Sequence, residues 1–339
     1  MSDSTITVRH LTKTYRVPER APGLKAAIGS MLHRTYRDVE AVRDISFTIA
    51  QGEMVGFIGP NGAGKTTTLK ILSGLMHPTL GSVKVLGYVP WRRQHTFLRQ
   101  ISMVLGNKSQ MLWDLPPVES FTVLGEIYKV PANDLQQTLD ELVSLLDMED
   151  LLTKPVRNFS LGERMKCELV AGLLHRPQVL FLDEPTLGLD VSMQARLRAF
   201  FKTYNQRMGV TVMLTSHYMA DVVALCSRVI LIHHGQLLYD GALTGLADKL
   251  APFKLLHIHM GGSQDVDAPI SLPEGTELID RQQNNLTVRV PKLSAPALTA
   301  RILGTLPVVD LTVEDPPIEA VIDQIYQNSE VLQSSSGGA

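Results

Sequence analysis

The chain has 339 residues, 44% hydrophobic and 19% charged, which suits a globular protein of about two domains. Its net charge of −2 offers no basic excess for a phosphate backbone, which excludes nucleic acid as the expected partner. Two cysteines, Cys167 and Cys226, argue for reduced thiols over a disulfide framework, Met1–Arg9 lacks the pattern of a secretory signal, and no apolar run approaches the ~20 residues of a spanning helix, so a partner must supply any membrane span.

In chain order, alternating Ile6 and Val8 predict a strand within residues 1–17. Residues 18–40 place Leu24, Ile28, Met31 and Leu32 at helical spacing among Lys25, Arg34 and Arg37. This predicts a basic amphipathic helix over 23–34, packed on the core or set against a protein partner. Ile45, Phe47 and Ile49 alternate as a half-buried strand, and Gln51-Gly52-Glu53 predicts a hairpin turn. Met54–Ile58 is a short apolar run that enters a glycine-rich segment. The runs Val179–Leu182, Val212–Thr215 and Val229–Ile232 suit the middle of a parallel sheet. Residues 115–175 have a helical pattern and are expected to form a separate lobe. Near residue 250 the punctuation changes to Gly261-Gly262-Ser263, Pro269, Pro273 and Gly275. Leu286-Val288-Val290 then reads as a strand, and 295–303 and 318–326 as helices, so 251–328 is expected to be a small α+β domain. The Ser- and Gly-rich tail 329–339 is expected to be disordered.

The segment Gly59-Pro60-Asn61-Gly62-Ala63-Gly64-Lys65-Thr66 fits G-x-x-x-x-G-K-[ST] at every fixed position. Glycines let successive backbone N–H groups curl inward at phosphate oxygens. Lys65 brings a positive charge to the outer phosphates, and the Thr66 hydroxyl is a ligand for Mg²⁺. The following helix, from about Lys65 to Leu72, points its positive end at the same phosphates. Farther on, Val179-Leu180-Phe181-Leu182-Asp183-Glu184 is an apolar strand ending in two carboxylates, at the strand end where open α/β sheets bind ligands. Asp183 is placed to hold Mg²⁺ through water, and Glu184 to polarise the attacking water. His233-His234 and His257-x-His259 lack neighbouring metal ligands and are read as ordinary strand histidines.

Asn158-Phe159-Ser160-Leu161-Gly162-Glu163-Arg164 resembles the signature of the ABC ATPases, Leu-Ser-Gly-Gly-Gln, with Ser160 and Gly162 matching and Phe159, Leu161 and Glu163 departing. The Glu163 departure has a local reading, because Ser160-x-x-Glu163 is a capping box for a helix start. Leu187-Gly188-Leu189-Asp190 resembles the family's D-loop, and Thr215-Ser216-His217 its switch-histidine segment. The resemblance implies that Gly59 through Thr66, with Thr67, bind ATP, that Tyr15 stacks on adenine, and that His217 senses the γ-phosphate. It implies that Ser160, Gly162 and Asp190 meet the opposite subunit or its nucleotide. The stretch Ile101–Leu115 resembles the glutamine loop, with Asn107 at the usual glutamine and Gln110 as the alternative amide near Mg²⁺.

The fold class read from all this is α/β: a phosphate-loop ABC ATPase core over 1–245, a helical lobe, and the C-terminal accessory domain. The segment 20–43, Leu161, Trp113-Asp114-Leu115-Pro116 and Asp310–Glu319 further resemble a bacterial subgroup similar to daunorubicin-type drug exporters. That resemblance implies a peripheral ATPase at the cytoplasmic face of the inner membrane, serving integral-membrane permease subunits, two different ones in this subgroup. Both halves of an ATP site are intact in one chain, which favours pairing with a second copy of itself. The runner-up is a soluble ABC ATPase acting on a non-membrane partner.

Overall fold

The structure, a computed structural model, describes residues 4–18, 36–106, 108–250, 253–261, 272–316, 318 and 320–322. The helix expected over 23–34, Asn107 and the tail 329–339 lie outside the described residues. The chain divides into two compact units, Met1–Gly241 and Ala242–Ala339.

The first unit opens with β1 (Ser4–Pro18) and β2 (Tyr36–Ala50), followed by β3 (Met54–Ile58), α1 (Lys65–Leu72), β4 (Leu80–Val85) and β5 (Ile101–Leu105). Then come α2 (Pro117–Tyr128), α3 (Ala132–Leu145), α4 (Leu161–Leu173), β6 (Val179–Asp183), α5 (Val191–Met208), β7 (Thr211–Thr215), α6 (Met219–Leu225), β8 (Arg228–His233) and β9 (Gln236–Ala242). Two sheets result. One is antiparallel, in the order β2-β1-β4; the other has six strands in the order β5-β6-β7-β3-β8-β9. The pairings from β5 across to β8 are parallel.

The continuous apolar strands behave as their composition requires. Every residue of β3, β6 and β7 is buried, as in a parallel sheet covered on both faces. Ile6, Val8, Phe47 and Ile49 of the antiparallel sheet and Leu69, Ile71 and Leu72 of α1 share one core with Phe57, Phe181, Met213 and Ile230 of the parallel sheet. Phe47 and Phe57 meet across the layers with ring centroids 5.9 Å apart. Cys167 and Cys226 are free and buried, and burial pushes each thiol up to about 12.

Two local expectations are corrected. Gln51-Gly52-Glu53 does reverse the chain, with Glu53 N–H donating to the Ala50 carbonyl, but no hairpin forms. Its flanking strands enter different sheets: β2 pairs with β1, while β3 pairs with β7 and β8. A turn sequence sets local geometry, and the partner of each strand is decided by which core its apolar face can reach. Residues 36–40, grouped in sequence with the segment 18–40 that is set apart from the first strand, belong to β2. Val39 pairs with Tyr15 and Tyr36 with Pro18 in the ladder, so β2 begins soon after the expected helix ends.

The second unit contains α7 (Leu243–Leu250), β10 (Phe253–Met260), β11 (Glu277–Gln282), β12 (Asn285–Pro291), α8 (Ala295–Thr305) and β13 (Val308–Glu314). Its antiparallel sheet runs in the order β11-β12-β10-β13. Leu256, Ile258, Met260, Leu286, Val288 and Val290 form one apolar face, which packs against Ala295, Leu298 and Ile302 of α8. Among the described residues no helix is long and apolar enough to cross a membrane.

Candidate functional site

The site grows from the C-terminal ends of the parallel strands. β3 ends at Ile58, the glycine loop follows, and α1 begins at Lys65 with Gly64 as its N-cap at φ 106°. That backbone conformation favours glycine, and a Cβ on Gly64 would also sit 2.4 Å from the Ala41 carbonyl oxygen. No side chain caps α1, so its first N–H groups are free for an anion. Lys65 is 5% exposed and curls back over the loop, its Nζ donating to the carbonyls of Gly59 at 2.5 Å and Pro60 at 3.0 Å. Burial lowers its pKa, while Glu184 and Asp183 oppose that shift.

Asp183 closes β6 and faces α1. Thr66 Oγ1 donates to Asp183 Oδ2 at 3.0 Å, and Thr215 Oγ1 of β7 donates to Asp183 Oδ1 at 2.7 Å. Glu184 follows at φ 55°, held by its N–H donating to both the carbonyl and the hydroxyl of Thr215 at 3.1 Å. His217 Nε2 lies 2.8 Å from Glu184 Oε1. Thr66, Asp183, Glu184, Gly106 and Lys108 line a cavity of about 190 Å³. Its oxygen donors, the Thr66 hydroxyl and the Asp183 carboxylate, are the hard ligands that suit Mg²⁺. Tyr15 stands beside the loop, its hydroxyl 3.3 Å from Thr67 Oγ1 and 3.0 Å from Met76 Sδ.

Ser160 and Asp190 are helix caps. Ser160 Oγ accepts from Glu163 N–H at 3.3 Å while Ser160 N–H donates to Glu163 Oε2 at 2.8 Å, completing the expected capping box at the start of α4. The Ser160 backbone N–H, then its hydroxyl, hold the Glu163 carboxyl below its usual range. Gly162, in the first turn, faces Met193 of α5, whose Cε would lie 3.0 Å from an added Cβ. Asp190 accepts from Met193 N–H at 2.9 Å at the start of α5. Gln110 is turned elsewhere: its N–H donates to Glu168 of α4 at 2.9 Å, and it lines a different cavity from Thr66 and Asp183.

Three contributors were not singled out in the sequence, and a fourth, Thr215, entered there only as part of the Thr215-Ser216-His217 segment. Glu168 is buried in α4 and also accepts from Ser109 Oγ at 2.6 Å, anchoring the loop after β5; burial raises its carboxyl pKa. Lys108 enters the cavity wall. Thr215 holds both carboxylate residues. Gly106 has no room for a side chain, because a Cβ there would lie 2.3 Å from the Glu184 carbonyl oxygen. No local pattern marks the roles these residues take, since each acts on a residue distant in sequence. Gly106→Ala is expected to destabilise the chain by about 1–3 kcal/mol through this backbone clash, read as a lower midpoint in chemical denaturation; an unchanged midpoint would mean the loop shifts without cost.

A glycine loop between a parallel strand and a helix, with paired carboxylates at the end of a nearby parallel strand, defines a phosphate-loop nucleotide-hydrolysing domain. Residues 42–187 match the family described as ABC transporter, and 252–314 the C-terminal domain of EvrA-like ABC transporters. The chain is 33% identical to the ABC transporter ATP-binding protein NatA of Bacillus subtilis over 66% of its own length and 90% of that protein's. It is 32% identical to the daunorubicin resistance ATP-binding protein DrrA3 of Streptomyces coeruleorubidus, covering 64% of this chain and 67% of that one. A solved ATP-binding subunit of an ABC transporter superposes with TM-score 0.60 at 25% identity, covering 73% of this chain and 93% of that one. A dimeric ATP-binding cassette bound to ADP and Pi shares the fold, with TM-score 0.57 at 21% identity over 70% of this chain and 98% of that one. This chain belongs to the ATP-binding subunits of ABC transporters and is an ATPase of that family.

Proposed function

We propose that the chain powers an exporter: two copies close around ATP, and hydrolysis reopens them. The observation that carries this reading is the continuous set of contacts from Thr66 through Asp183 to Glu184 and His217 beside a free helix end. ATP phosphates lie in the backbone loop Gly59–Gly64, with Lys65 on the outer phosphates and Thr67 alongside. Tyr15 stacks on the adenine, a role supported by its hydroxyl's approach to Thr67. Thr66 and Asp183 would hold Mg²⁺, which would supply charge neutralisation to the phosphates; Asn107, outside the described residues, is the amide that the resemblance assigns to the same ion. Glu184 orients and deprotonates the attacking water, and His217 steadies the Glu184 carboxylate before contacting the γ-phosphate. Ser160 and Gly162 of the second copy complete the pocket from the opposite side, and Asp190 meets the partner. The ATPase domain is taken as 1–245 with its helical lobe at 115–175, and the accessory domain as 251–328, a division supported by the two compact units.

Force reaches integral-membrane permease subunits, two different ones by subgroup resemblance, at the cytoplasmic face of the inner membrane. Relatives named for Nod factor export support the outward direction; one from Burkholderia lata is 34% identical over 64% of this chain and 71% of its own. The docking face on this chain is the exposed apolar stretch Leu112, Trp113, Leu115 and Val118. It is tied to the lead-in of α4: Arg157 N–H donates to the Trp113 carbonyl at 2.9 Å, Val156 N–H to the Leu115 carbonyl at 3.1 Å, and the Arg164 guanidinium stacks 4.3 Å over the Trp113 ring. Movement of the docked partner is thereby passed to Ser160.

The test is capture of partners from native membranes on tagged Glu184→Gln with ATP. Recovery of polytopic membrane proteins, lost when Trp113 and Leu115 are both changed to Ala, is expected. Recovery of soluble proteins alone would replace this reading with that of a soluble ATPase.

A further inference from the structure

We infer that Asp221 on α6 is a positioning residue for ATP hydrolysis, tying the turn after Glu184 to the segment that carries His217. The inference rests on the roles proposed above for Glu184 and His217. Asp221 is 0% exposed, yet its carboxylate serves three chain segments. One oxygen accepts from Thr186 Oγ1 at 2.5 Å and from Ser216 Oγ at 2.9 Å. The other accepts from Arg198 of α5 at 2.8 Å. Thr186 follows Glu184 and Pro185, and Ser216 immediately precedes His217.

The geometry suits registration between loops better than stability alone. A buried ion pair is weak evidence of a stabilising role, because its desolvation cost is comparable with its attraction. Here each loop gives Asp221 one hydroxyl, and these bonds bracket the 2.8 Å contact between Glu184 and His217. The network also reaches the segment proposed to touch the second copy. Gln194 of α5 donates its amide to the Leu189 carbonyl at 3.2 Å, Asp190 caps the same helix, and Arg198 lies one turn farther along the same face. Displacement of residues 186–190 by a partner is thus transmitted through α5 and Asp221 to His217.

The test uses the full chain with single-hydroxyl changes, which spare the buried charge pair. Thr186→Val and Ser216→Ala are each expected to lower kcat about tenfold or more, since small misplacements of reacting groups cost that much. KM and ATP affinity should stay near the parent values, kcat per folded molecule should fall even where the lost buried hydrogen bond lowers the unfolding midpoint, and Thr186→Ser should restore kcat. A kcat within about twofold of parent for Thr186→Val overturns the inference, as does a loss that Thr186→Ser does not repair. A lowered midpoint with kcat per folded molecule intact also overturns it, assigning Asp221 a purely structural role. Glu184→Gln measured in parallel separates the two levels. If it is inactive while Thr186→Val is active, only the Asp221 role fails; if it hydrolyses normally, the catalytic reading fails and this inference with it.

Discussion

Glu184→Gln should lower ATP hydrolysis by about 10²–10⁴-fold while leaving ATP binding intact, because an amide accepts no proton from the attacking water. The substitution keeps the size of the side chain and spares what holds the backbone there. Glu184 adopts φ 55°, and its N–H donates to the Thr215 carbonyl and hydroxyl, neither of which involves the carboxylate. The amide of the substituted side chain still presents an oxygen or N–H to His217 across the 2.8 Å gap seen for the carboxylate. Single-turnover hydrolysis alongside equilibrium binding of a fluorescent ATP analogue separates the two effects. Retained turnover would remove Glu184 as the base; lost binding would show that it shapes the nucleotide pocket instead.

Lys65→Ala should act on the other half of the cycle and weaken ATP binding. Removing one member of a buried charge-assisted contact costs about 2–5 kcal/mol. That corresponds to roughly 30-fold to several-thousand-fold in Kd at about 1.4 kcal/mol per tenfold. Lys65 is buried and satisfied by carbonyl oxygens, and burial lowers its pKa against the opposing pull of Glu184 and Asp183. Triphosphate offers the missing anion, so the ammonium gains most when nucleotide arrives. Alanine is a strong helix former at the start of α1, so the fold should survive. Titration of ATP monitored by calorimetry reads the affinity, and an unchanged unfolding midpoint without nucleotide confirms that folding is not the cause. An unchanged Kd would place the phosphates away from this loop.

Much of the α/β core was legible because its signals are local. The strand Val179–Asp183, the loop from Gly59 and the helix Lys65–Leu72 each carry their own pattern, and each forms where its residues require. The capping box at Ser160 and Glu163 is equally local and forms as spacing demands. The failures are non-local. Gln51-Gly52-Glu53 has the look of a hairpin because turn chemistry is read over four residues, whereas β2 and β3 enter different sheets. Residues 36–40 lie beyond the helix expected over 23–34 and join β2 because β1 offers them a ladder. The choice between Asn107 and Gln110 was also beyond local reading, and the anchoring of the Gln110 N–H by the Glu168 carboxylate of α4 is a contact only packing supplies.

The sequence by itself determined the residue types and local elements of the candidate site: a phosphate loop with its lysine, the Thr66 hydroxyl, and two carboxylates at the end of a buried strand. These depend on residue type and short spacing, which backbone geometry translates directly into a strand, a turn or a helix end. Only the tertiary structure decided how those groups are held. Thr215 reaches both Asp183 and Glu184 because β6 and β7 are parallel neighbours. Gly106 is bare because the Glu184 carbonyl lies against it. Asp221 is a hub because α6 brings it between the loops that carry Glu184 and His217. Each of these relations joins residues far apart in the chain, and packing alone supplies the distance that makes them physical.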